Sequence, residues 1–405
     1  MRIARGLGVA VLLASLTFVS TFASHSASAQ ATPVGGPLQQ EQMTFVAGGL
    51  TNGRSFTWDS NGVLYVATAG VGGDNAGTIE APVVQTVGKL MGGKTATVVR
   101  IANGCPVTVA SGLASTRDEG GVTVGAAAVA FLNGELYVLI AGGGEVHGNP
   151  DMPNGVYRIE DDGSATMVAN ISEFVANNPV EGNLPRDYSP EGDPYAMVAD
   201  EAAGVFWVDE ANSGQLLRIS LDGTVTRAVD FSEGDPVPTA LALAPDGGVY
   251  VGFLTGVPFT DGTSKVVHVA ADGTVTDVWT GLTMLTAIAV GPDGSLYGLS
   301  FSTGNKTEAP FFVPGTGKVV HQTGPDTSEE LATHLLMPNY MAFGPDGGLY
   351  IGFPGIGATN GEGVILRMDA TGNAPLATPL AAPVSCAAAT PATESTPEPA
   401  ASPFA

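Results

Sequence analysis

Aspartate recurs in this chain in one glycine-rich setting: LALAPDGGVYVGF (241–253), IAVGPDGSLYGLS (288–300) and MAFGPDGGLYIGF (341–353). Carboxylates repeated in this way suit metal ligation, acid catalysis or turn formation. The residue order decides between them. Proline presets φ at the first central position, Asp follows, and glycine supplies a positive φ at the exit. Asp162-Gly163, Asp222-Gly223 and Asp272-Gly273 repeat the same device between other apolar runs. These aspartates read as turn residues on one rim, and the search for chemistry moves to the opposite ends of the same strands.

There the candidates are Arg54, Glu145, His147, Glu191, Asp193, Tyr195, Asp209, Glu210, Asn339 and Tyr340. They lie in NGRSF, GGGEVHGNPD, SPEGDPYAM, DEANSG and MPNYM, which carry charge and polarity outside the repeated turns. Oxygen ligands drawn from Glu191, Asp193, Asp209 and Asn339 would suit Ca²⁺. A carboxylate cluster would alternatively serve as a general base. Asp209 stands out because the matching position elsewhere is Gly252, Leu299 or Gly352. For each of these residues the bland alternative is a solvated loop residue. His147, His268, His321 and His334 have no metal-ligand spacing, and only His147 sits in a glycine-rich loop. There is no Gly-x-Ser-x-Gly elbow, phosphate loop or paired-cysteine motif, which excludes most hydrolases and nucleotide enzymes that short motifs reveal.

The elements that must position these residues follow from a repeat. An aromatic falls inside an apolar run at Tyr65, Tyr137, Trp207, Tyr250, Tyr297 and Tyr350. The last three intervals match a propeller blade of about 40–50 residues. The first two are longer, and residues 71–94 and 172–193 read as the inserted loops. Each unit holds four strand-sized pieces, as in 240–244, 248–254, 264–270 and 274–282. Six such units predict an all-β, six-bladed β-propeller. The last unit lacks its fourth strand, while MTFVAGGL (43–50) precedes the first inner strand. The N-terminal strand is therefore expected to complete the last blade and remove a sheet edge.

Charged residues make up only 13% of the 405 while glycine numbers 56, which favours short strands joined by tight turns over long helices. Residues 1–29 read as a signal peptide: Arg2 and Arg5, an apolar run, then Ala27-Ser28-Ala29. The mature protein is expected to be secreted or associated with the cell envelope, with no further membrane span and acting as a monomer. The formal charge of −24 becomes −26 without Arg2 and Arg5, and so acidic a surface argues against nucleic acid as a partner. Residues 30–42 read as a linker, 43–370 as the propeller and 371–405 as a Pro/Ala/Thr-rich tail, disordered beyond about Cys386. Export permits a disulfide between the two cysteines, Cys105 and Cys386, but the separation of their Cα atoms cannot be read from sequence.

The stretch VPTALALAPDGGVYVGFLTGVPFTDGTSKVVHVAADGTVTDVWTGLT, with EGDPYAMVADEAAGVFWVDEANSGQLLRISLDGTV before it, resembles the ScyD/ScyE family. The likeness runs from about residue 43 to 370. It implies an exported bacterial propeller related in fold to six-bladed propellers of the NHL and gluconolactonase type, with no established activity. The family pattern Glu-x-Asn-Pro-Tyr corresponds to Glu191-Gly192-Asp193-Pro194-Tyr195, which keeps an oxygen ligand. Where relatives carry Gly-Glu-Leu-Thr-Gly this chain has Gly252-Phe253-Leu254-Thr255-Gly256, and Ser300 stands at the matching place in the next unit. The missing carboxylate weakens any catalytic or metal cluster. The sequence therefore favours a binding scaffold for a small molecule, glycan or surface protein over a Ca²⁺-dependent hydrolase or lactonase.

Overall fold

The structure, a computed structural model, describes residues 37–78, 89–182, 188–369 and Cys386. The stretch read as a signal peptide, most of the expected linker and nearly all of the expected tail lie outside the described residues. The strands form six sheets in ring order, with inner strands Gly53–Trp58, Ala126–Leu132, Pro194–Asp200, Pro238–Leu243, Leu285–Val290 and Tyr340–Phe343. Five sheets run outward from the inner strand through consecutive antiparallel neighbours. The sixth takes its outer strand from Thr44–Leu50, which pairs antiparallel with Gly363–Asp369. The protein is a six-bladed β-propeller closed by its N-terminal strand. Upstream of that strand, Leu38–Gln39 adds a short parallel strand to the outer edge of the fifth blade.

The core is divided, not central. Six apolar clusters each lie between two neighbouring blades, as when Ala240 and Val266 of the fourth meet Leu285 and Ile288 of the fifth. The repeated aromatic belongs to these seams. Tyr65 meets Phe131, Tyr297 meets Phe343 and Tyr350 meets Trp58 edge-on, with centroids 5.2, 5.0 and 5.0 Å apart. Such pairs contribute about 0.5–1.5 kcal/mol beyond burial. The aromatic recurs because every blade must fill the same gap against the next.

The Pro-Asp-Gly aspartates do the work of turns. Asp246, Asp293 and Asp346 each accept a backbone N–H two residues on, from Gly248, Ser295 and Gly348, all at 3.1 Å. Gly247, Gly294 and Gly347 take φ of 90, 83 and 74°.

The two insertions differ from their reading as loops. Part of the first forms strand: Asn75–Ala76 pairs with a third strand that begins at Met91. Glycines in KLMGGK hide that strand from a pattern of alternation. The second contains a helix, Ile171–Asn177, whose first turn is capped when Asn170 Oδ1 accepts the Glu173 N–H at 3.0 Å. It is too short to show a helical period.

At the opposite end of each inner strand the chain makes one recurring bond. The carbonyls of Asn52, Gly125, Asp193, Val237, Met284 and Met337 accept the N–H of Ala69, Ala141, Ala211, Leu254, Phe301 and Gly355 respectively. In four of these the acceptor is a non-glycine residue with positive φ: Asn52 (49°), Val237 (49°), Met284 (44°) and Met337 (46°). Valine is the costliest there, since a β-branched side chain crowds its own carbonyl. Val237→Asn, matching Asn52, should raise stability by about 1 kcal/mol. A urea midpoint that stays put or falls would count against the strain.

Candidate functional site

The mouth of the central funnel is built by these kinked starts. A register shift of the bulge type follows in the first five blades, and bulges re-aim side chains. Two residues after the kinked one stand Arg54, Ala127, Tyr195, Thr239, Thr286 and Asn339 in the six blades. Most of these hand a hydrogen bond to the next blade. Thr239 Oγ1 donates to Leu285 O (2.8 Å), Thr286 Oγ1 to Pro338 O (3.2 Å), and Asn339 Nδ2 to Gly53 O (2.9 Å). Arg54 donates to Thr123 O, and also to Gly355 O at 3.2 Å. From the second blade to the third the link is made by Asn154 Nδ2 on Gly192 O at 2.9 Å. Among the described residues Tyr195 makes no such bond.

The third blade instead carries buried acids. Asp209 is fully buried, and its Oδ1 accepts the Ala196 N–H at 2.6 Å inside the bulge. Burial pushes its carboxyl well above the usual carboxylate range, against the Ala196 and Tyr195 N–H groups and with help from Glu210. Glu210, equally buried, takes the Asp193 (2.8 Å), Asn212 (3.0 Å) and Ser213 (2.9 Å) N–H groups and thus ties the turn after its strand to the start of the blade. Arg54 is half-buried, and desolvation pulls its guanidinium down while Tyr195 and Asp193 oppose this. Burial likewise raises the Tyr195 hydroxyl, against the pull of Arg54, and pushes Tyr340 up to about 12. Tyr340 packs edge-on against Phe56 with centroids 4.9 Å apart.

Glu191 sits farther out. Its carboxylate accepts the N–H of Glu145 (3.0 Å) and Val146 (2.8 Å), clasping the second blade's long loop, and burial raises its pKa. His147 is buried in that loop with Nδ1 on Gly143 O at 2.8 Å, and burial lowers its pKa to about 4. Three of the four groups expected for Ca²⁺ hold backbone. Glu191 and Asp209 bind backbone through their carboxylates, and Asn339 does so through its amide nitrogen. Among the described residues no three His, Cys, Asp or Glu side chains gather to hold a metal. Asp209 Oδ2 and Asn339 Oδ1 are buried without a donor among the described residues. A cavity that Arg54 lines together with Phe56, Gly352 and Phe353 has a free space of only about 10 Å³, about enough for one water.

The open volume lies to one side. A cleft of about 520 Å³ runs between Asn75, Ala76, Thr78 and Lys94 of the first blade and Glu145, Gly148, Asn149, Pro150 and Asp151 of the second. Lys94 Nζ reaches Asp151 Oδ1 at 2.8 Å, and Thr78 N–H reaches Glu145 O at 3.0 Å. Its second wall is rigidly held. Asn149 Nδ2 donates to Gly142 O (2.7 Å) and Ser115 O (3.1 Å), and Thr116 Oγ1 to His147 O (2.8 Å). Gly148 has φ 74°, and a Cβ there would stand 2.3 Å from Asn75 O, so only glycine permits the two loops to meet. Glu145 was the one candidate that lines this cleft. The partners of Glu145, Lys94 and Asp151 above all, carry no motif. Thr239 and Thr286 were also missed, though VPTAL and LTAIA place them at the same offset as Arg54 in NGRSF.

Fold and site together define a six-bladed β-propeller with a polar cleft on its long-loop face. No family model matches the chain, and no curated protein does. Solved structures with a similar course are propellers of the gluconolactonase and virginiamycin B lyase type. They include the calcium-binding protein regucalcin from Agrobacterium tumefaciens (12% identity, 83% of this chain, 95% of that one, TM-score 0.48). A protein of unknown function from Bacteroides thetaiotaomicron (11% identity, 82% and 74%, TM-score 0.47) and virginiamycin B lyase from Staphylococcus aureus (13% identity, 80% and 98%, TM-score 0.42) are others. Similarity at this level carries no argument about activity. No helix among the described residues is long and apolar enough to cross a membrane.

Proposed function

We propose that the protein is an exported, non-catalytic binding module of the ScyD/ScyE type that takes a small polar ligand in the cleft on its long-loop face. The observation that carries this reading is the cleft itself. Its volume falls within the range of about 300–1,000 Å³ usual for small-molecule sites, and its walls are preformed by buried hydrogen bonds. The groups at the funnel mouth are, by contrast, largely engaged in holding one blade to the next. The strongly acidic chain supports an extracellular, soluble role rather than work on polyanions.

Filling the cleft tests the reading. Asp151 is exposed, and among the described residues its side chain reaches only Lys94, so Asp151→Trp should leave the fold intact. Ligands found by thermal shift in a library of small polar metabolites should lose at least tenfold in affinity in this variant. Binding that survives Asp151→Trp but is abolished by changes on the Pro-Asp-Gly rim would put the site on the wrong face. Turnover of simple lactones or esters that is lost in Asp209→Asn would overturn the non-catalytic part.

A further inference from the structure

The cleft has a chemistry more specific than polar. Its wholly apolar side chains are Ala76 and Pro150, and the other side chains that line it carry polar or charged groups. Its charges are Lys94, Glu145 and Asp151. Lys94 and Asp151 neutralise each other across the opening at 2.8 Å, which leaves Glu145, exposed on the second wall, as the charge with no oppositely charged partner among the described residues. A phosphate, sulfate or uronate would meet a net negative site within a chain of formal charge −24. Donor-rich ligands fare better. The carboxylates of Glu145 and Asp151 accept hydrogen bonds from hydroxyl or ammonium groups, and the side chains of Asn75 and Thr78 stand on the facing wall.

Resting on the binding reading above, we infer that the cleft recognises an amino sugar, with a ring ammonium beside Glu145 and neighbouring hydroxyls between Asp151 and the first-blade wall. The inference goes beyond the binding reading in naming a ligand class and the residue that selects it. Glu145 supplies the preference for a cationic sugar over a neutral one, while the Lys94–Asp151 pair closes one end of the site.

Isothermal titration with three probes of equal length, a glucosamine trimer, a glucose trimer and a galacturonic acid trimer, tests this in 50 mM and 500 mM salt. The glucosamine trimer should bind at least tenfold more tightly than the glucose trimer, and the uronate should not bind. Glu145→Gln should remove most of that tenfold preference. Asp326→Asn, the same charge change at an exposed turn of the fifth blade, should leave it unchanged, which separates recognition from attraction to an acidic surface. Equal affinity for the three trimers, preference for the uronate, or equal loss in Glu145→Gln and Asp326→Asn would each overturn the assignment. If no sugar binds but another small ligand is displaced by Asp151→Trp, the sugar assignment fails while the binding module stands. If Asp151→Trp affects nothing that binds, the binding module fails with it.

Discussion

Replacing Cys105 by serine, or reducing the protein, is expected to lower its unfolding free energy by about 2–4 kcal/mol. Cys105 is joined to Cys386 across 281 residues of sequence, with Cα atoms 5.5 Å apart. A bond closing so long a loop removes much freedom from the unfolded chain in the entropic account. Its position adds a local reason. Cys386 Sγ lies 3.8 Å from both Gly48 O and Gly104 O, where the N-terminal strand of the last blade meets the outer hairpin of the first. Gly48 N–H also donates to Gly104 O there at 3.0 Å. The disulfide thus clasps the seam at which the ring closes. Urea unfolding with and without reductant checks this; identical midpoints would mean that strand pairing alone holds the seam.

The second large effect belongs to Asp209. Asp209→Ala should cost about 1–3 kcal/mol, because the buried Ala196 N–H in the bulge loses its acceptor. Asp209→Asn separates the bond from the charge. In the unfolded chain the carboxyl ionises near pH 4, whereas in the folded protein burial holds it protonated to well above that range. Between those two values the folded state binds more protons, so wild-type stability falls as pH rises through the window. Asp209→Asn lacks this slope, and its stability should gain on wild type as pH goes from 4 towards 8. His147 works the other way: its pKa of about 4 makes the protein gain stability as pH rises from 4 to about 6.5. The difference between the two proteins cancels that contribution. Parallel stability profiles would mean that Asp209 is ionised in the fold.

Much of the architecture was legible because it repeats. Tyr65, Tyr297 and Tyr350 answer to identical gaps between blades, and Asp246, Asp293 and Asp346 to identical turns, so periodicity exposed them. The N-terminal strand was legible from a count, since Gly363–Asp369 had no following partner. The mouth was legible in composition and not in role. Asp209 looked like a ligand because it is a carboxylate where other blades have glycine or leucine. Its actual task, holding the third blade's bulge, depends on a register shift that sequence does not display. The cleft was illegible for a different reason. Lys94 and Asp151 meet because glycines at 92 and 148 bring a glycine-interrupted strand and an irregular loop within backbone contact. Neither segment carries a periodic signal there.

The pairing of Thr44 with Arg367 has a consequence for how the molecule is made. Synthesis proceeds from the N-terminus, so the strand that completes the sixth blade emerges first and finds its neighbour last. Until then Thr44–Leu50 offers an unpaired edge while five blades assemble behind it. Long-range pairing of this kind slows folding, because the loop must close before any of its contacts reward the closure. The same strand that makes the finished ring edgeless leaves the growing chain with its longest wait.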